Sequence, residues 1–161
     1  MWQKLAEIIN TLVAQYQKLY RLGNEKRGVL VNVDIKSLEK IVHQEEAIVE
    51  AINKAEKERQ RVINLLTNQD VKIRPDMQMR DVLAQCPDIK LRGTLKQSHD
   101  ALHDIVKKTQ ELQSNNEIMI SAALDAINFK LNQLGGTSVE PVYGSSGQER
   151  VSHEKNFDLE V

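Results

Sequence analysis

The chain has 161 residues, 28% of them charged and only 4% aromatic, with a formal net charge of −1. Its three prolines and seven glycines leave long runs without turn residues, which argues against a β-sandwich or barrel and for a helical bundle or coiled coil. The charges are interspersed, with 20 basic and 18 acidic residues over 1–136, so neither a nucleic-acid footprint nor a polybasic membrane patch is present.

Residues 1–74 and 88–140 contain no proline, and both stretches can be mostly helix. In the first, Leu5, Ile8, Leu12, Tyr16, Leu19 and Leu22 recur at steps of three and four, the period of one helix face. Gly23 and Gly28 weaken the continuation. The β-branched run Val29 to Val33 is taken as the end of this helix, since no partner strand is in sight.

Asp34 is placed to cap a second helix, its carboxylate accepting an orphan N–H. From there Leu38, Ile41, Glu45, Ile48, Ile52, Ala55, Arg59, Val62 and Leu66 alternate in steps of three and four, with seven of nine positions apolar. A repeat of 3.5 residues marks a supercoiled seam. Glu45 and Arg59 interrupt it about 21 Å apart, too far to pair with each other. Each is expected to meet a partner on a neighbouring helix or to reach out to solvent.

Thr67 to Pro75 reads as a polar loop. Asp76 is expected to cap a short helix holding Met77, Val82 and Leu83, and Asp88 to cap a last helix that Gly135-Gly136 stops. That helix would be about 46 residues, or about 69 Å. Its first half carries a narrow seam of Leu95, Ser98, Leu102, Ile105, Thr109, Leu112, Asn116 and Met119. In its second half, eleven of the seventeen residues from Ile118 to Leu134 are apolar, more than one stripe can hold. This stretch is the buried centre of the bundle, or one face of it packs inside while another is offered to a partner helix, and both can hold for different residues.

The expected fold is all-α: an elongated antiparallel helical bundle or coiled coil of three long helices plus one short helix. Residues 1–135 would form one helical domain and 136–161 a flexible tail. The N-terminus lacks the pattern of a signal peptide, no apolar run is long enough to span a bilayer, and the lone Cys86 excludes an intrachain disulfide. A cytoplasmic protein without membrane insertion is the simplest expectation.

Little here points to an enzyme. His99 and His103 stand at i and i+4, but the first is followed by Asp100 rather than the Glu of the zinc-protease motif, and no third ligand is near. His103 lacks the following glycine of a phosphorelay helix. Gly135-Gly136 follows a helix and is a stop signal, not a phosphate cradle. Cys86 has no base beside it in sequence and reads as a small buried hydrophobe. No catalytic residue, metal ligand or cofactor is assigned.

Three places resemble the FlgN-type flagellar export chaperones. One is the charged stretch Lys26, Arg27, then Leu30, Asp34 and Leu38. Another is Glu45-Glu46 followed by Arg59. The third is Asn116, Met119, Leu124 and Asp125, with Phe129 and Leu131 continuing the apolar face. The likeness covers about residues 1–135. It implies a chaperone that binds the C-terminal helices of the hook-associated proteins and delivers them to the flagellar type III export apparatus, including its ATPase. On this resemblance and the apolar excess, the client site is placed at Asn116, Met119, Ile120, Ala123, Leu124, Ile127 and Leu131. Asn116 would fix register through hydrogen bonds. The competing expectation is a structural coiled coil that self-associates without an export client.

Overall fold

A computed structural model describes residues 1–32, 34–70, 72–74 and 76–135. It contains four helices: α1 (Trp2–Val31), α2 (Ile35–Gln69), α3 (Met79–Ala84) and α4 (Ile89–Gly135). Among the described residues there is no strand. Three long helices and one short one follow the sequence pattern, and the β-branched run beginning at Val29 does close α1, as far as Val31. The expected tail, 136–161, lies outside the described residues. By its internal contacts the chain divides into two units, Met1–Ala123 and Leu124–Val161.

In the first unit α1 and α2 form a hairpin. Asp34 caps α2, its Oδ1 accepting from the Ser37 N–H at 3.1 Å and its Oδ2 from the Ser37 hydroxyl at 2.6 Å. Lys26, late in α1, pairs with Glu45, early in α2, while Lys4 at the start of α1 pairs with Glu58. The helices are therefore antiparallel. The apolar stripe of α1 is buried at Leu5, Ile8, Leu12, Leu19 and Leu22, joined by Ala6 and Ile9. On α2 the seam is buried at Ile41, Ile52, Val62 and Leu66.

The two polar interruptions behave differently. Glu45 meets neighbours on two other helices: Lys26 Nζ at 2.6 Å and Gln113 Nε2 on α4 at 3.1 Å. Arg59 instead donates from Nε to Glu56 on its own helix, at 2.7 Å.

Two local expectations need correction. Asp76 does not cap α3. Its carboxylate lies 3.5 Å from Arg74 Nε, Met77 packs against the core, and α3 starts only at Met79, behind Gln78, which makes no side-chain cap bond. The segment from Thr67 is also less loop-like than expected. The Thr67 hydroxyl donates to the Ile63 carbonyl at 3.1 Å, and α2 continues to Gln69. Beyond it, the Asp70 side chain accepts the Lys72 N–H and its carbonyl accepts the Ile73 N–H. This turn throws Ile73 into the core, so the polar connection carries one buried anchor.

That core joins all four helices. Leu5, Ile9 and Leu12 meet Val62, Ile63 and Leu66, with Val82 and Leu83 from α3, Cys86 from the following turn and Leu95 from α4. Cys86 is the small buried residue expected of it, its Sγ 3.7 Å from the Asp88 carbonyl. Since Leu95 joins the cluster of Leu5, and Asn116 reaches Gly23, α4 runs parallel to α1 and antiparallel to α2.

Candidate partner-binding site

The predicted site residues all lie on α4, which is anchored at its first turn. Asp88 Oδ1 accepts the N–H groups of Lys90 at 2.8 Å and Leu91 at 3.1 Å, which satisfies two orphan donors of the first turn. Arg92 Nε donates to the Cys86 carbonyl at 2.8 Å. The narrow seam then faces inward, with Leu95, Thr109, Leu112 and Asn116 buried and Ser98, Leu102, Ile105 and Met119 half-buried.

At the far end of this seam three helices share a polar layer. Asn116 is 1% exposed and its Nδ2 donates to the Gly23 carbonyl on α1 at 2.8 Å. Gln113, three residues before it, reaches Glu45. Leu112 fills the recess that Gly23 leaves, and a Cβ at position 23 would lie 2.9 Å from Leu112 Cδ2. Gly23 therefore acts as a close-approach point for α4, a role its sequence context does not announce.

The predicted site residues fall into two groups. In the first unit, Asn116 is buried while Met119, Ile120 and Ala123 are half-buried. In the second unit Leu124, Ile127 and Leu131 are exposed, Leu124 by 54% and Leu131 by 59%. Phe129, at 63%, and Leu134 are exposed with them. Leu124, Ile127, Leu131 and Leu134 follow steps of three, four and three, one helix stripe. Phe129 falls outside that stripe, as does Ile118 outside the seam. The expectation of a buried bundle centre therefore does not hold for Ile118 or for Leu124 to Leu134, while Met119, Ile120 and Ala123 are half-buried. Ile118 and Leu134, left out of the predicted site, had a visible signal in the apolar excess of Ile118 to Leu134.

The two histidines of the last helix meet in one groove of about 270 Å³ in the first unit, lined also by Ile9, Glu56, Arg59 and Leu102. His99 Nδ1 lies 3.6 Å from Asp100 Oδ1. Nearby, burial pushes the Tyr16 phenol up from its ordinary value, with Glu56 adding to the rise and Arg59 opposing it. Among the described residues no group of three or more His, Cys, Asp or Glu could hold a metal ion. Also among them, no helix is long and apolar enough to cross a membrane.

Three long helices thus end in an apolar stretch that is exposed among the described residues. The model of the FlgN protein family matches residues 1–150, nearly the whole chain. The chain belongs to the FlgN family. FlgN proteins are the flagellar export chaperones, a family of chaperones rather than enzymes. The match runs beyond residue 135, where the sequence likeness stops, and takes in part of the expected tail. No curated protein and no solved structure matches the chain.

Proposed function

We propose that this FlgN-family protein works in the cytoplasm as an export chaperone for hook-associated proteins and binds their C-terminal helical segments. The client face comprises Met119, Ile120, Ala123, Leu124, Ile127 and Leu131, extended by Phe129 and Leu134. Asn116, with its amide directed to Gly23, contributes by holding α4 on α1 rather than by touching the client. Delivery to the export apparatus and its ATPase follows from the same family role.

The observation that carries this reading is the exposure of Leu124, Ile127, Phe129, Leu131 and Leu134. Contiguous exposed apolar residues mark a site for a partner. A client segment that awaits its own assembly partners exposes a matching stripe, and each square ångström of apolar area covered contributes about 25 cal/mol. Ordering that segment offsets much of the gain, which suits reversible capture and release.

The test is calorimetric titration of the full chain with a peptide from the C-terminal helix of a hook-associated protein of the same cell. Saturable one-to-one binding with a negative heat-capacity change is expected. A folded chain that neither binds nor gives heat at hundreds of micromolar peptide, and that sediments only as an oligomer, would replace this reading with a self-associating coiled coil.

A further inference from the structure

We infer that Asn116 and Gln113 form a register lock that selects one axial position of α4 on the α1–α2 hairpin, at the expense of stability. Thr109 and Asn116 are the buried polar side chains among the described residues. Thr109 is satisfied within its own turn, its hydroxyl donating to the Ile105 carbonyl at 2.7 Å. Asn116 is satisfied only by half. Its Nδ2 reaches Gly23, but its buried Oδ1 has no partner among the described residues. A leucine in its place would bury apolar area and remove that orphan acceptor, so stability alone does not account for an amide here.

Position does account for it. The seam of α4 repeats every seven residues, as Leu95, Leu102, Thr109 and Asn116 on one line and Ser98, Ile105, Leu112 and Met119 on the other. A slide of seven residues, about 10 Å, would put Ile105 or Met119 where Leu112 meets Gly23. In the slide that brings Met119 there, Leu102 takes the place of Leu95 and the apolar contacts would be largely restored; the opposite slide would bring Asp88 to the place of Leu95. Neither slide would restore the polar contacts. Thr109 or Ala123 would stand where Asn116 now reaches the Gly23 carbonyl, and in the slide that brings Ala123 there the Asn116 amide would sit in the buried place of Thr109 without its acceptor. On the α2 side, Val106 or Ile120 would replace Gln113, removing the donor to Glu45 Oε1. Both substitutes are apolar. The two amides thus reject the slide that the apolar repeat tolerates, as a lone polar residue does in a coiled-coil seam. The lock also fixes where Met119, Ile120 and Ala123 lie along the hairpin.

The experiment measures a distance distribution between spin labels on Gln17→Cys in α1 and Lys108→Cys in α4, both exposed positions. It uses the full chain with Cys86→Ser as the common background. The background should give one narrow distance. Asn116→Leu should melt at the same temperature or higher and show a second distance population, which Gln113→Leu enlarges when added. Asn116→Val serves as a second, smaller apolar replacement. A single unchanged distance in the apolar variants overturns the lock, whatever their stability. Failure of both Asn116→Leu and Asn116→Val to fold, read by circular dichroism, also overturns it, because the amide would then be needed for folding itself.

Discussion

Two stretches of α4 are both rich in apolar residues and meet opposite fates. From Leu95 to Leu112 the apolar side chains keep to a narrow seam, and Leu95 and Leu112 are buried. From Leu124 to Leu134 they occupy more than one face, and every large one of them is exposed. The contrast separates two uses of hydrophobicity. A seam matched in period to its neighbours is consumed by folding, whereas apolar surface in excess of that period is left exposed.

The largest effect that would break this comparison lies in the seam. Leu95 is fully buried within the cluster that joins all four helices. Leu95→Ala should destabilise the fold by about 2–5 kcal/mol, from lost transfer free energy plus the cavity left behind, as read by urea denaturation. A loss below about 1 kcal/mol would mean that the seam is no more structural than the exposed stretch.

The mirror experiment sharpens the other half. Leu124→Asp combined with Leu131→Asp replaces two exposed leucines. Stability should stay within about 0.5 kcal/mol per site, as for surface substitutions. Affinity for the client peptide should fall at least about tenfold, or about 1.4 kcal/mol. Unfolding of the double variant would instead make these residues structural, and unchanged affinity would move the client site elsewhere.

Much of this division was legible in the sequence. The steps of three and four along α1, α2 and early α4 gave the inward faces, and Asp34 and Asp88 announced their helix starts, because these are local rules of spacing and capping. The apolar stretch Ile118 to Leu134 was legible as a conflict, eleven apolar residues with no single stripe to hold them, but not which side would be covered. Asn116 shows why. Its place in the seam was visible, but whether its amide would face a client or α1 depends on the Gly23 carbonyl, ninety-three positions away. Gly23 is the same case in reverse: locally a weak helix former, it is in three dimensions the recess for Leu112. Ile73 was missed because a turn built by Asp70, not any periodicity, sends it inward.

Gly23 therefore gives the next prediction. Gly23→Ala improves helix propensity by about 1 kcal/mol in isolation, yet places a methyl 2.9 Å from Leu112 Cδ2. Leu112 is buried, so overpacking of about 1–3 kcal/mol should outweigh the gain. Gly28→Ala, where an added Cβ meets nothing within 4 Å, should be neutral or stabilising. Thermal melts of the pair test the point. Equal gains in both variants would remove Gly23 from the interface between α1 and α4.

The smallest effect is the response of the packed unit to acid. The Ser37 hydroxyl holds the Asp34 carboxyl below its ordinary value, aided by the Ser37 N–H. Lys4 does the same for Glu58, and Lys54 for Glu50. A carboxyl whose folded pKa is depressed binds its proton less readily in the folded state than in the unfolded one. Its contribution is present at neutral pH and is lost as pH falls through the ordinary carboxylate range, about 4, toward the lower folded value. Asp34 and Glu50 are exposed and Glu58 is half-buried at the surface, so solvent screening keeps each contribution small. The melting temperature should be level from pH 7 to about 5 and then decline. Asp34→Asn should keep most of the stability at pH 7, because Asn also caps, while flattening the acid decline. Asp34→Ala should lower the melting temperature at pH 7 and flatten the decline as well. If Asp34→Asn left the acid limb as steep as before, the charge on the cap would be irrelevant, and the salt-sensitive Lys4–Glu58 pair between α1 and α2 would become the group to replace next.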